Sequence, residues 1–211
     1  MKILNKKNLK FFFNSKNGVI FGSFAWLIAL CSFTIAIILY LKVDPSYSIF
    51  THHLSDLGAG ENFSNIVFFI GLAFSASFQI PFYISIGISL KQKKGNWNLI
   101  RIAMGASIIS SLSLILIIPF LSDPDNPISN NLHGFLGFTH FSAMVVAYIF
   151  YSIIELTNPK ISNLFGLISI LSALFYSLAI IFVTIRIFYW IAILGIFLWV
   201  FMHTIFLIRT K

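Results

Sequence analysis

The side chains best able to move a proton or hold a metal ion occupy two short parts of this chain. The chain has five histidines and six carboxylates, and all but His203 and Glu155 fall within residues 44–61 or 123–140. Imidazole and carboxylate together can form an acid–base pair or a zinc-type centre. These two segments are therefore where chemistry is predicted.

The first segment, residues 47–62, is too polar to cross a membrane and too apolar to be a plain linker. It predicts a short helix at the membrane interface that ends at glycine. His52 and Asp56 are four residues apart, so they would share one face of that helix, with His53 about 100° away.

The second segment begins with a turn containing Asp123, Pro124 and Pro127. Polar and small residues then recur every three or four positions, at Asn130, His133, Gly137, His140 and Met144. This spacing places them on one helical face. The face is predicted to point into the protein, because ionisable residues rarely face lipid.

One hypothesis is a divalent metal such as zinc, with ligands drawn from His52, His53, His133 and Asp56. His133 would combine with one of the adjacent histidines and with Asp56 or Asp123. His140 lies about 10.5 Å from His133 along a helix rising 1.5 Å per residue, so it cannot bind the same ion.

Two other interpretations use the same residues. Asp56, His133 and His140 could be catalytic in a hydrolase or acyl transferase, with a histidine as general base oriented by Asp56 or Asp123. Asp123 and Arg186 could then bind an anionic group. Alternatively, the polar residues form a hydrogen-bonded cap over the protein without catalysis.

The rest of the sequence predicts an all-α membrane protein. Hydrophobic residues make up 58% of its 211 residues and charged residues only 9%, against about 25% in soluble domains. A basic interfacial segment, 1–17, would precede one transmembrane domain, 18–211. Six runs are long enough to span a bilayer: 18–42, 64–90, 99–121, 133–155, 162–185 and 187–208.

Basic residues alternate between loops in a way that predicts the orientation. The net charge is +8, but the lysines and arginines flank apolar runs, which argues against a nucleic-acid partner. Most lie at the N-terminus, in the second and fourth loops and in the C-terminal tail. Lys42 and Arg186 are the exceptions. The positive-inside rule therefore predicts both termini in the cytoplasm of a multi-pass cell-membrane protein with lipid as its surroundings.

Two ionisable residues lie apart from the two polar segments. His203 falls in the last apolar run, and we predict that it forms an interhelical hydrogen bond. Glu155 ends the fourth run near Lys160, where it is expected at the level of the lipid headgroups.

The order of these motifs resembles a known family. The stretch 51–59, THHLSDLGA, is similar to the ISDLGA signature of small prokaryotic membrane proteins catalogued as domain of unknown function 998. Pro119 before an acidic turn and His133 near the start of the next helix extend the resemblance over roughly residues 18–208. The resemblance implies six helices and no established activity. It also implies a distant similarity to eukaryotic proteins that remodel GPI-anchor lipids.

These observations favour a membrane protein that binds or acts on a lipid or small amphiphile at its extracytoplasmic face. Two alternatives stay open. A small transporter would need a polar path from His140 toward His203. A structural or partner-binding protein would need neither a path nor a site. The sequence does not separate an enzyme from a non-enzyme, nor does it predict an oligomeric state.

Overall fold

The long apolar runs fold into six α-helices, because a helix satisfies its backbone hydrogen bonds internally where lipid offers no partners. A computed structural model of the protein describes residues 13–60, 62–120 and 126–210. The helices are α1 (Ser15–Tyr40), α2 (Ser64–Gln92), α3 (Trp97–Leu116), α4 (Pro127–Thr157), α5 (Asn163–Ile181) and α6 (Arg186–Ile208). A short 3-10 helix, Leu54–Gly58, lies between α1 and α2.

All six helices are long and apolar enough to cross a membrane, so the prediction of a six-helix, all-α membrane protein is confirmed at this level. The clearest difference in boundaries is at α4, which begins six residues before the predicted 133. Asn126 explains the early start, because its side chain accepts a hydrogen bond from the Ser129 backbone N–H at 3.1 Å. Pro127 suits the first turn, where its missing N–H removes no helical bond.

The helices form a closed ring in which each packs against its neighbours in sequence and α1 also packs against α6. Glycines allow the close approaches around α1. A Cβ at Gly18 would lie 2.6 Å from the Ser85 Cβ, and one at Gly71 only 2.0 Å from the Ser32 Oγ. Gly18 and Gly22, four residues apart on α1, are both buried, as close packing in lipid requires.

The ring has two ends, which we name by what lies there. The terminal face contains residues 13–14 and 209–210 together with the α2–α3 and α4–α5 connections. A hydrogen bond of 3.0 Å from the Asn158 side chain to the Lys93 carbonyl joins those connections. The loop face contains the 3-10 helix, the described parts of the α3–α4 connection, and residues 182–185.

The interior of the ring is aromatic and polar. Four tyrosines and a tryptophan are completely buried there: Tyr83, Tyr148, Tyr151, Tyr176 and Trp199. His140, Glu155 and His203 are also buried. Polar and ionisable groups are costly in lipid, so they face the interior of a helix bundle, where they bond to one another or serve a function. The interior is therefore where a site is expected.

Candidate functional site: the central cavity and the polar interior

The predicted helical face shared by His52 and Asp56 does not form. His52 precedes the 3-10 helix, and its Nε2 lies 3.4 Å from Asp44 Oδ2. Its Nδ1 lies 2.8 Å from the Thr51 hydroxyl. The ring thus interacts within its own loop. The indole N–H of Trp190 donates to the His52 carbonyl at 3.0 Å and ties this loop to α6.

Asp56 stabilises the turn that contains it. Its Oδ2 accepts the His53 backbone N–H at 2.8 Å, as one half of a capping box. The His53 ring contacts Tyr189 with centroids 5.6 Å apart. Burial lowers the pKa of His53, Arg186 lowers it a little further, and Asp56 opposes the shift. His53 is therefore a neutral, packed side chain at physiological pH.

The two histidines of α4 lie apart and have different partners. His133 Nδ1 donates to the Phe120 carbonyl at 2.8 Å, which closes the connection between α3 and α4. His140 is 3% exposed, and its Nδ1 lies 2.7 Å from the Ser110 hydroxyl. No carboxylate among the described residues pairs with either ring. Asp56 therefore does not orient either histidine as a general base.

The proposed metal ligands also fail to assemble. No group of three or more histidine, cysteine, aspartate or glutamate side chains converges within 13–60, 62–120 and 126–210. His52, His53, His133 and Asp56 each interact locally instead. A zinc-type site built from these four residues is therefore not supported. Asp123 lies outside the described residues.

Arg186 begins α6 at the loop face. Its Nη1 donates to the Thr184 carbonyl at 2.5 Å, while its Nε is buried without a hydrogen-bond partner in the part of the chain that the structure describes. Nothing in the described part of the chain tests its predicted role in binding an anionic group, which stays a prediction.

A cavity occupies the loop-face half of the ring and touches all six helices. Its volume is about 70 Å³, well above the roughly 10–15 Å³ that one water needs. Apolar side chains form most of its wall, among them Ala29, Phe33, Phe68, Leu72, Ile193 and Phe197. The 3-10 helix covers it through Leu54 and Ser55. Both predicted histidines of α4, His133 and His140, line it.

The polar groups of the cavity lie at two levels. The deeper group comprises Ser75, Gln79, His140 and Tyr176, and among the described residues no aspartate, glutamate, lysine or arginine lines the cavity. From this deeper group, a chain of hydrogen bonds continues toward the terminal face. Tyr83 Oη donates to Gln79 Oε1 at 3.2 Å, and Gln79 Nε2 donates to Ser75 Oγ at 3.3 Å.

A second polar cluster lies near the terminal face, and sequence reasoning missed it. Glu155 of α4 is 1% exposed rather than at the lipid headgroups, and His203 of α6 is fully buried. Their Oε1 and Nε2 atoms are 2.7 Å apart. The prediction that His203 bonds between helices is confirmed. One available signal was that Ile153, Ile154 and Leu156 surround Glu155, an apolar context unusual for an exposed carboxylate.

No family model, curated protein or solved structure matches this chain. The resemblance to domain of unknown function 998 and to the GPI-anchor group stays a prediction. The cavity and the two polar clusters are the observations from which a function can be proposed.

Proposed function

We propose that this protein binds a small, neutral amphiphile in its central cavity. The cavity itself carries the proposal, because it combines apolar walls with a few convergent polar groups, as ligand sites do. The apolar part of the ligand next to its head group would contact Phe33, Phe68 and Phe197, and a longer chain would extend beyond this cavity of about 70 Å³. A hydroxyl, amide or ester would bond to Gln79 and His140.

The absence of charged side chains from the described lining defines the ligand class. Transfer of a phosphate or carboxylate into such a wall without a cation would cost several kcal/mol, on the order of the penalty for an unpaired buried ion. Gln79 and His140 can each donate or accept a hydrogen bond, so they suit a neutral head group. Long-chain alcohols and monoacylglycerols have this chemistry.

A brominated long-chain alcohol tests the proposal, because bromine quenches tryptophan fluorescence at contact and Trp26 lines the cavity. We expect saturable quenching with purified protein in nanodiscs, and much less of it in Trp26→Phe. Ala29→Leu fills part of the cavity and should weaken binding about tenfold, equivalent to about 1.4 kcal/mol.

The matched control is Ile35→Phe, which adds bulk to the same helix where its side chain is 48% exposed. It should bind the alcohol like the wild type. Quenching that never saturates, with equal slope in all variants, would mean that the alcohol only partitions into the surrounding lipid and would refute cavity binding.

We also propose that the terminal face lies in the cytoplasm and that the protein resides in the cell membrane. Lys91, Lys93, Lys94, Lys160 and Arg209 lie at that face, whereas Asp44 and Asp56 lie at the loop face. This is the asymmetry of the positive-inside rule. Single cysteines at position 48 or 160, in a Cys31→Ser background, test it. An impermeant maleimide on intact cells should label only position 48, and the reverse pattern would invert the orientation.

Transport is a second candidate, favoured by one observation. Buried polar side chains do not stop at the cavity but continue through Tyr83, Tyr148 and Tyr151 toward Glu155. Hydrolysis is less well supported, because neither His133 nor His140 has a carboxylate partner among the described residues. A transporter would release the bound amphiphile on both sides of a vesicle membrane, whereas a binding protein would retain it.

A further inference from the structure

The Glu155–His203 pair is enclosed by protein from all sides. Trp199 stacks on the His203 ring with centroids 3.8 Å apart and planes 20° apart. The ring centroids of Phe165 and Phe206 lie 5.8 Å and 6.3 Å from that of the same imidazole. Ionisable groups buried inside a membrane helix bundle are costly and are typically found on ion or proton pathways.

Hydrogen bonds determine how many protons the pair shares. The Trp199 carbonyl lies 2.9 Å from His203 Nδ1, and a carbonyl only accepts, so Nδ1 carries a hydrogen. One further proton then lies between His203 Nε2 and Glu155 Oε1. The two side chains therefore share one proton across this contact.

The other carboxylate oxygen is fixed by a directed chain. The Trp199 indole can only donate, and it donates to Ser169 Oγ at 2.9 Å. The Ser169 hydroxyl therefore donates to Glu155 Oε2, also at 2.9 Å. This arrangement leaves Glu155 Oε1 as the oxygen that exchanges a proton with His203.

A column of buried rings joins this pair to the cavity. We define the tyrosine column as Tyr83, Tyr148, Tyr151 and Tyr176, all completely buried. The ring centroid of Tyr176 lies 5.8 Å from that of His140 and 5.5 Å from that of Tyr148. The ring centroids of Tyr148 and Tyr151 lie 5.3 Å and 5.1 Å from that of Trp199. His140 and Glu155 are about 22 Å apart along α4, at 1.5 Å per residue.

The hydroxyls of the column lie close to one another or to other polar groups. That of Tyr148 lies near that of Tyr176, and that of Tyr151 lies near Ser107 and within electrostatic range of Glu155. None of the three meets strict hydrogen-bond geometry among the described residues. Buried hydroxyls are normally bonded, so a row of three such hydroxyls requires an explanation.

Other titratable and charged groups near the pair are few. Helix α2 contributes Tyr83 and, at its C-terminal end, Lys93, whose Nζ lies 6.0 Å from the Phe206 ring. Helix α4 contributes Tyr148 and Tyr151. The described parts of α3, α5 and α6 present Ser107, Ser169 and Trp199 to this region but no second carboxylate. No neighbouring acid competes with Glu155 for the proton.

We propose that Glu155 and His203 form a proton-binding site, and that the tyrosine column passes protons between this site and His140 in the cavity. In each transfer a hydroxyl oxygen accepts one proton as it releases its own, so one O–H or N–H bond forms as another breaks. Protons would pass between the pair and the terminal face beside Phe165 and Phe206. These two rings separate the pair from a groove lined by Lys93, Lys160 and Arg209. The protein would thus conduct protons across the bundle.

Proteoliposomes containing the full chain and an entrapped pH-sensitive dye test this proposal. A potassium gradient with valinomycin drives proton entry, with and without the brominated alcohol. We expect wild type to acidify the lumen faster than protein-free vesicles. Glu155→Gln and Tyr148→Phe should each reduce the protein-dependent rate by about tenfold or more, because each removes a group that must accept a proton.

His52→Gln is the control, since it removes a histidine that lies outside the column and the cavity lining. It should conduct like the wild type. Glu155→Gln keeps an acceptor for Ser169, so alcohol quenching in this variant verifies that the cavity is intact. A wild-type rate equal to that of empty vesicles, with and without alcohol, would overturn the proton proposal and leave amphiphile binding standing. Equal rates in wild type and Glu155→Gln would do the same.

Discussion

Glu155 and His203 lie 48 positions apart in sequence, yet their carboxylate and imidazole meet at 2.7 Å inside the helix ring. Neither side chain has more than 1% of its surface exposed. The two residues come from α4 and α6, which are not neighbours in the ring, so the contact crosses the interior beside Ser169 of α5. This pair therefore links two helices that are not adjacent in the ring.

Breaking the pair should destabilise the protein strongly. His203→Ala leaves Glu155 buried without its partner, which costs about 3–5 kcal/mol in comparable cases. Glu155→Leu with His203→Leu removes both polar groups and should recover most of that loss. Unfolding in increasing SDS, followed by circular dichroism, measures both. If the double variant is no more stable than His203→Ala, the two side chains do not act as a pair.

The tyrosine hydroxyls should differ in their contribution to stability. Tyr83 donates to Gln79, so Tyr83→Phe should cost about 0.5–1.5 kcal/mol, the usual net value of a hydrogen bond. The Tyr148 hydroxyl has no hydrogen-bond partner in the described structure, so Tyr148→Phe should leave the free energy of unfolding unchanged. The same SDS titration compares the two. An equal loss in both variants would show that Tyr148 does have a structural partner.

The contact between α1 and α2 should depend on Gly71. A methyl group there would lie 2.0 Å from the Ser32 Oγ, so Gly71→Ala must push the helices apart. Overpacking of this kind costs about 1–3 kcal/mol. Gly105→Ala is the matched control, because nothing lies within 4 Å of its added Cβ. It should be neutral or stabilising, and an equal loss there would mean that helix flexibility, not packing, is what Gly71 supplies.

Acidification should weaken the loop-face packing through His53. Burial, and to a smaller extent Arg186, lower the pKa of His53 below 6.5, while Asp56 opposes the shift. A folded pKa below the unfolded value means that His53 contributes its stability above about pH 6.5 and that this contribution is lost as the pH falls through the folded pKa. Arg186→Gln should raise the pKa of His53, as measured by NMR of labelled histidine. A fall, or no change, would show that Arg186 does not act on this ring.

The helices were predictable because apolar length and flanking basic residues report directly on membrane insertion. The partners of the side chains at the loop face were predicted less accurately. His52, His53 and Asp56 lie close in sequence, but His52 and Asp56 find partners within their own loop and the His53 ring packs on Tyr189. Closeness in sequence therefore did not produce a shared site.

The inner pair was missed for the opposite reason. Glu155 and His203 are each isolated in sequence, and only the ring closure through α1 and α6 sets which helices face one another. A carboxylate near the end of a helix and close to Lys160 suggested an exposed position. The structure instead turns Glu155 inward, where Ser169 and His203 bond to both of its oxygens.

The distance in sequence between Glu155 and His203 also affects how the protein is synthesised and inserted into the membrane. A ribosome that adds about 5–20 residues per second needs roughly 2–10 s to proceed from one residue to the other. Throughout that interval α4 carries a carboxylate whose histidine has not yet been synthesised. Glu155 therefore needs another polar partner, such as water or the insertion machinery, until α6 arrives to complete the ring. The order of synthesis makes the last helix the one that seals the polar interior from lipid.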